Sequence, residues 1–366
     1  MQEIILELPL NSLSYGNVSL NILREAFRVK DKINISLFPI GGKISLDAYD
    51  KLSEEFKSWI TEKFNQRFNR NSFSKNSKTI KIWHLNGSEM RIGTGNQTLY
   101  TFHETSEPTD LEVTLCELQD RVVFSSKYSF DKFKAKGLKN ISYTPPGFDQ
   151  DLIETNRVYL PNKIHFGLMG KWEYRKNTSQ ILKCWAKKYG NNFNYQLTCC
   201  INNPFIKTQD LNMLISESLG GKRYGNINFL PHLKTNSEVN DLLNSINIDL
   251  TGLSGAEGWN LPSFNATALG KWSLVMNHTA HKDWATKDNS ILIEPDNEVD
   301  IEDGLFFKKG SDFNQGCKFQ VSDEKIIEKM EFSEKYSHNI NEEGKKLKSK
   351  FSYEKTFKEI IKLNSV

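Results

Sequence analysis

The stretch Gly252–Lys271, GLSGAEGWNLPSFNATALGK, decides how this chain is read. Ahead of it, Ile246-Asn-Ile-Asp-Leu-Thr is an apolar, β-leaning run that predicts a strand ending at Gly252. Gly252, Gly255 and Gly258 permit tight turns and close approach of backbone to a ligand. Pro262 falls in the first turn of a helix, where its missing N–H costs nothing, and Gly270 ends that helix. A strand, a glycine-rich loop and a helix N-terminus together aim free N–H groups and a positive dipole end at whatever fills the loop. Anions suit such a place, a pyrophosphate best of all. Glu257 is then a carboxylate inside an anion site, with two readings: it accepts hydrogen bonds from hydroxyls of something attached to that phosphate, such as a sugar, or it caps the helix beginning near Leu261.

The segment AEGWNLPSFNATALGK resembles the donor-site signature of glycosyltransferase family four, retaining enzymes with the GT-B fold. That pattern is a Glu, seven residues and a second Glu; here Glu257 stands first and Asn265 second. The resemblance implies that Glu257 contacts the donor sugar and that position 265 holds the nucleotide ribose. Asn265 departs from the pattern, which leaves the nucleotide open between UDP and GDP. It also implies an α/β chain of two Rossmann-like domains facing across a cleft, with a C-terminal helix crossing back to the first domain. The expected divisions are 1–155 (acceptor side), 156–345 (nucleotide-sugar side) and 346–366 (the returning helix).

Other segments agree. Lys163–Met169 predicts a strand, and the following loop, Gly170-Lys-Trp-Glu-Tyr-Arg-Lys-Asn, carries Lys171, Arg175 and Lys176 just ahead of a helix at Thr178–Tyr189. Cations there neutralise a departing diphosphate, and Arg does so through two hydrogen bonds. Lys171 falls where the family has Arg and Lys176 where it has Lys; backbone N–H groups near Asn260 and Leu261 complete the diphosphate site. In the first half, Pro9–Val18 reads as a polar loop containing Gly16, with a helix from Ser19 to Phe27, and Asp47–Arg70 as a long amphipathic helix. His103 and Glu104 follow the β-type run Thr98–Phe102, so either is placed to polarise a hydroxyl or take its proton. The residues after Pro295 read as a linker of acids, Gly and Phe, and FSYEKTFKEIIKL as the terminal helix.

Length and composition fit two soluble globular domains: 366 residues, 25% charged, 38% hydrophobic, net charge +3. No apolar run has the length of a membrane span, and MQEIILELPL lacks a basic signal-peptide start. Five cysteines at no metal-like spacing read as free thiols in a reducing cytoplasm. No paired-aspartate motif stands at a strand end, so no metal and no resident cofactor are expected, only a nucleotide-hexose as co-substrate. The acceptor is open: a glycan, a lipid, a protein, a small molecule or, with a Lys/Asn-rich, mildly basic first domain, a hydroxymethylated base in DNA. The Asn-, Ser-, Lys- and Arg-rich stretch Asn65–Lys81 itself reads as a solvated loop rather than a nucleic-acid patch. A non-catalytic nucleotide-sugar-binding relative is the third reading, because the second motif carboxylate is missing.

Overall fold

The computed structural model describes residues 2–66, 77–92, 95–155 and 159–362. Most of Asn65–Lys81, the end of the expected helix beyond Gln66, and residues 156–158 of the expected boundary lie outside the described residues.

The first half forms one parallel sheet of β1 (Gln2–Leu10), β2 (Ile33–Ile44), β3 (Lys78–Ile82), β4 (Gln97–Thr101), β5 (Arg121–Phe124) and β6 (Ile141–Tyr143), in the order β2-β1-β3-β4-β5-β6. Helices α1 (Ser14–Arg28), α2 (Glu54–Gln66), α3 (Asp110–Glu117) and α4 (Lys127–Ala135) connect it. β1 is interior, and its apolar residues from Ile4 to Leu10 are at most 2% exposed, as a strand covered on both faces must be. Its one charged interior residue, Glu7, sits opposite Lys81 of β3 and pairs with it at 3.2 Å. Lys81 also donates to the Met90 carbonyl (2.8 Å), tying down the loop after β3.

The second half repeats the plan with β7 (Ile164–Met169), β8 (Tyr195–Cys200), β9 (Ile227–Phe229), β10 (Ile248–Asp249), β11 (Trp272–Met276) and β12 (Ile291–Ile293). The order is β12-β11-β10-β7-β8-β9, again parallel. Helices α5 (Thr178–Tyr189), α6 (Thr208–Ser218), α7 (Asn236–Ser245) and α8 (Leu261–Ala268) alternate with these strands. The presumed linker after Pro295 is instead an antiparallel hairpin, β13 (Asn297–Asp300) paired with β14 (Cys317–Gln320). Its strands are short, polar and joined by a long loop, so neither periodicity nor a tight-turn signal marks them.

Two elements begin away from their expected positions. Gly16 lies not in a loop but in the first turn of α1, buried against the Asn11 carbonyl, where a side chain has no room. The helix starts early because the Asn11 side chain accepts the Leu13 N–H (2.9 Å) and turns the chain at once. The long helix after Asp47 starts only at Glu54, where the Ser53 hydroxyl accepts the Phe56 N–H (3.3 Å).

After α9 (Asp323–Ser333), α10 (Glu342–Lys345) and α11 (Leu347–Lys350), the last helix, α12 (Tyr353–Ile360), returns to the first domain. Tyr353, Phe357 and Ile360 belong to the same buried cluster as Ile4, Leu6 and Leu23. Polar ties reinforce it: Thr356 donates to the Pro145 carbonyl (2.7 Å), and Arg121 pairs with Glu359 (3.0 Å). Truncating Phe357, which is 3% exposed, leaves a cavity in the first domain's core. Phe357→Ala is expected to cost about 3–5 kcal/mol in denaturant unfolding, against under 1 kcal/mol for a surface-only helix.

Candidate active site

Strand order fixes where ligands fit in such sheets: outside the C-terminal strand ends, where the winding reverses. In the second sheet that point lies between β7 and β10, so the loops 170–177 and 250–260 face one another. They hold the basic and glycine-rich segments singled out from the sequence.

The glycines of the second loop are approached by the chain itself. A side chain at Gly255 would meet the carbonyls of Phe319 and Arg175; its own N–H donates to Arg175 O (2.7 Å), and its carbonyl accepts from Phe319 N (2.8 Å). Gly258 faces the first domain: an added Cβ would stand 3.0 Å from Phe102 Cβ and 3.4 Å from His103 N. The Ser125 hydroxyl donates to the Gly258 carbonyl (2.8 Å), so the domains touch at this glycine.

Asn260 adopts a left-handed conformation (φ 67°), and its side chain accepts the Ser263 N–H to cap α8. The cap is thus Asn260 and not Glu257. Asn260 Nδ2 donates to Thr251 O (3.0 Å) and to His281 Nε2 (2.9 Å), while His281 Nδ1 donates to Met276 O (2.9 Å). Beneath the loop Trp259, Phe264, Trp284 and Phe351 pack edge to face, with centroids 5.3–5.8 Å apart. Leu261 packs against this cluster and against the first domain's core as well.

Glu257 is 4% exposed, and both its oxygens are engaged: Oε1 with Lys176 Nζ (2.5 Å), Oε2 with Arg175 Nη1 (3.1 Å). Burial alone would raise its pKa, but Lys176 and Arg175 outweigh it and hold the carboxyl well below the usual range. Arg175 is ringed by carboxylates, with Nε 3.0 Å from Glu173 and Nη2 3.5 Å from Glu104 of the first domain. Nη1 also donates to the Ala256 carbonyl (2.6 Å). Two of the residues expected at the diphosphate, Arg175 and Lys176, are therefore bonded to the one expected at the sugar in this structure. Lys171 is the least committed of the cations, 4.0 Å from Glu173 and lying over the Phe205 ring at 5.3 Å. Asn265 Oδ1 is buried and finds no hydrogen-bond partner among the described residues.

Of the two residues expected to handle protons, Glu104 reaches the cleft. The His103 ring lies within the first domain, 3.3 Å from Thr105 Oγ1, 3.5 Å from Glu112, and edge-on to Phe133. Sequence reasoning missed Glu173, Ser125, His278 and His281. The two histidines lie in Asn277–Asp283, the segment that follows β11 at the same sheet edge. Among the described residues no group of three or more His, Cys, Asp or Glu side chains is placed to hold a metal. No helix among them is long and apolar enough to cross a membrane.

Two facing Rossmann-like domains closed by a returning helix define the GT-B class of fold, and this chain has it. Among solved structures it is similar to sucrose-phosphate synthase from Thermosynechococcus elongatus, at TM-score 0.67 and 10% identity over 98% of this chain and 97% of the other. It is also similar to HepE of Anabaena in complex with UDP-glucose, at TM-score 0.64 and 13% identity over 98% of both chains. The lipopolysaccharide outer core galactosyltransferase WaaB aligns at TM-score 0.61 and 13% identity over 99% of both. At such identities the likeness is one of fold. No family model and no curated protein matches the sequence.

Burial pushes His281 from 6.5 down to about 4, only partly opposed by Glu257. Its folded pKa lies below its unfolded one, so the unfolded chain takes up the proton first as pH falls. Stability is lost between roughly pH 6.5 and 4, by about 2 kcal/mol for this one imidazole between pH 7 and 5. Denaturant unfolding at both pH values should show that His281→Gln removes this share of the loss. An undiminished loss would mean His281 is not the buried neutral group described.

Proposed function

We propose that this chain is a retaining glycosyltransferase that moves a hexose from UDP or GDP to an acceptor hydroxyl, acting in the cytoplasm. The carrying observation is the pairing of Glu257 with Lys176 where the two loops of the second sheet's switch point meet. That pairing supports a site in which a carboxylate meets sugar hydroxyls beside a cation that meets phosphate, as a nucleoside-diphosphate hexose requires. The complexes of HepE with UDP and UDP-glucose lend support, since that protein shares the fold along almost its whole length.

In this reading residues 156–345 take the donor, 1–155 the acceptor, and 346–366 fasten the two together. Lys171 and Lys176, with the N–H groups at Asn260 and Leu261, meet the diphosphate and stabilise the charge it gains. Arg175 holds Glu257 and Glu104 in position while Lys176 is shared between Glu257 and phosphate. The unpartnered Asn265 Oδ1 accepts from a ribose hydroxyl, as the usual Glu would. The bond from the anomeric carbon to the phosphate oxygen breaks, and its electron pair stays on that oxygen. The acceptor oxygen bonds to the anomeric carbon on the same face, and its proton passes to Glu104. His103 supports this wall from behind.

Lys176→Ala removes one charge-assisted contact, worth roughly 1.5–3 kcal/mol, so UDP or GDP should bind about 10–100-fold more weakly in calorimetry. Glu257→Gln is expected to do the reverse for the bare nucleotide, which should bind no more weakly once Lys176 is released, while transfer collapses. Unchanged transfer in Glu257→Gln would remove that residue from the sugar site.

The positive charge at the diphosphate is supplied by side chains, so transfer should persist in chelator. Complete loss restored by manganese would show that a metal does this work.

A further inference from the structure

The first domain has a switch point of its own, between β1 and β3, and it carries a different chemistry. Tyr15, which follows β1, and Trp83 and His84, which follow β3, come together there. The Tyr15 and His84 rings lie 4.4 Å apart, those of Trp83 and His84 5.1 Å, and those of Tyr15 and Trp83 5.9 Å. Phe102, at the end of β4, backs Tyr15 at 5.2 Å. Tyr15 is an anchor: its hydroxyl accepts the Phe102 N–H (3.1 Å) and lies 3.5 Å from Thr101 Oγ1.

His84 differs. It is exposed, and its ring nitrogens have no hydrogen-bond partner among the described residues. Glu104 of its own domain and Lys171 of the second domain both act on its charge, so the ring stands where the two domains meet. Desolvation by the walls around it, opposed by Glu104 and joined by Lys171, lowers its pKa and favours the neutral ring. A neutral imidazole both donates and accepts, which matches a hydroxyl.

We propose that Tyr15, Trp83 and His84 form the acceptor subsite and that it receives a pyranose ring, with the hydroxyl to be glycosylated between His84 and Glu104. This rests on the glycosyltransferase reading above. Aromatic faces cover the C–H side of a sugar, while the polar tips of His84 and Glu104 meet its hydroxyls. A flipped nucleobase fits less well. The three ring pairs meet at 53–78°, which leaves no parallel slot for a flat base. Among the described residues the charges acting on His84 are one carboxylate and one ammonium, whereas a DNA strand brings a phosphate with every nucleotide and needs an array of cations.

The test uses the full-length protein, UDP-glucose and GDP-glucose as donors, p-nitrophenyl glycosides of several pyranoses, and a duplex containing 5-hydroxymethylcytosine. Pyranoside binding is read by saturation-transfer NMR with UDP or GDP present, and nucleotide binding separately by calorimetry. His84→Ala, an exposed change that leaves the core intact, should weaken pyranoside binding at least tenfold and leave nucleotide affinity within twofold. Trp83→Ala should do the same, and His84→Asn, which still donates and accepts, should recover part of the loss. Pyranosides that bind His84→Ala as tightly as the native protein, or transfer to the duplex and to none of the pyranosides, would overturn the proposal. Failure of the native protein to bind either nucleotide would instead sink the donor reading, and pyranoside binding would still decide the subsite.

Discussion

One guanidinium, that of Arg175, stands where three loops and two domains converge. A charge this deeply enclosed is tolerated only when it is matched, and removing any partner leaves the others uncompensated. Glu173 comes from its own loop, Glu257 from the loop after β10, and Glu104 from the first domain. The relative placement of the loops is therefore set by electrostatics as much as by apolar contact. Gly255 and Gly258 make the arrangement possible by letting backbone press on backbone.

The hairpin β13–β14 adds a second bond between the domains. Its connecting loop reaches across, so that Thr109 donates to the Asp312 carbonyl (2.6 Å) and Asn314 N donates to Glu112 (3.0 Å). Cys317 N donates to the Ser106 hydroxyl (2.8 Å). The His103–Glu112 segment is thus held from behind by a piece of the second domain, while Glu104, within it, faces Arg175. Ile301 and Phe307 of the same loop pack on Ala256, next to Glu257. Each switch point ends with its own character, charged in the second sheet and aromatic in the first.

Much of this was legible in the sequence, because it is local. Pro262 and Gly270 bracket α8 where the chain places them, and a run of β-type and amphipathic segments forecast two parallel sheets. What escaped depends on distant partners. The hairpin strands NEVD and CKFQ mean nothing until they pair. Gly16 carried no sign that the Asn11 side chain would start a helix ahead of it. Glycine signals flexibility and close approach, but not whether the approaching group is a ligand or the chain itself. Likewise Lys176 and Glu257 were each recognisable as site residues, while their pairing with one another comes from the fold.

The returning helix has a consequence for how the molecule is made. Tyr353, Phe357 and Ile360 complete a core whose other members lie mostly before residue 124. During synthesis the first sheet emerges early but must wait, with the apolar patch that α12 covers left open, while the whole second sheet is translated. Domains made in order usually fold in order. Of these two domains, the one translated earlier is the later to be finished, and until α12 arrives its open patch stays in water.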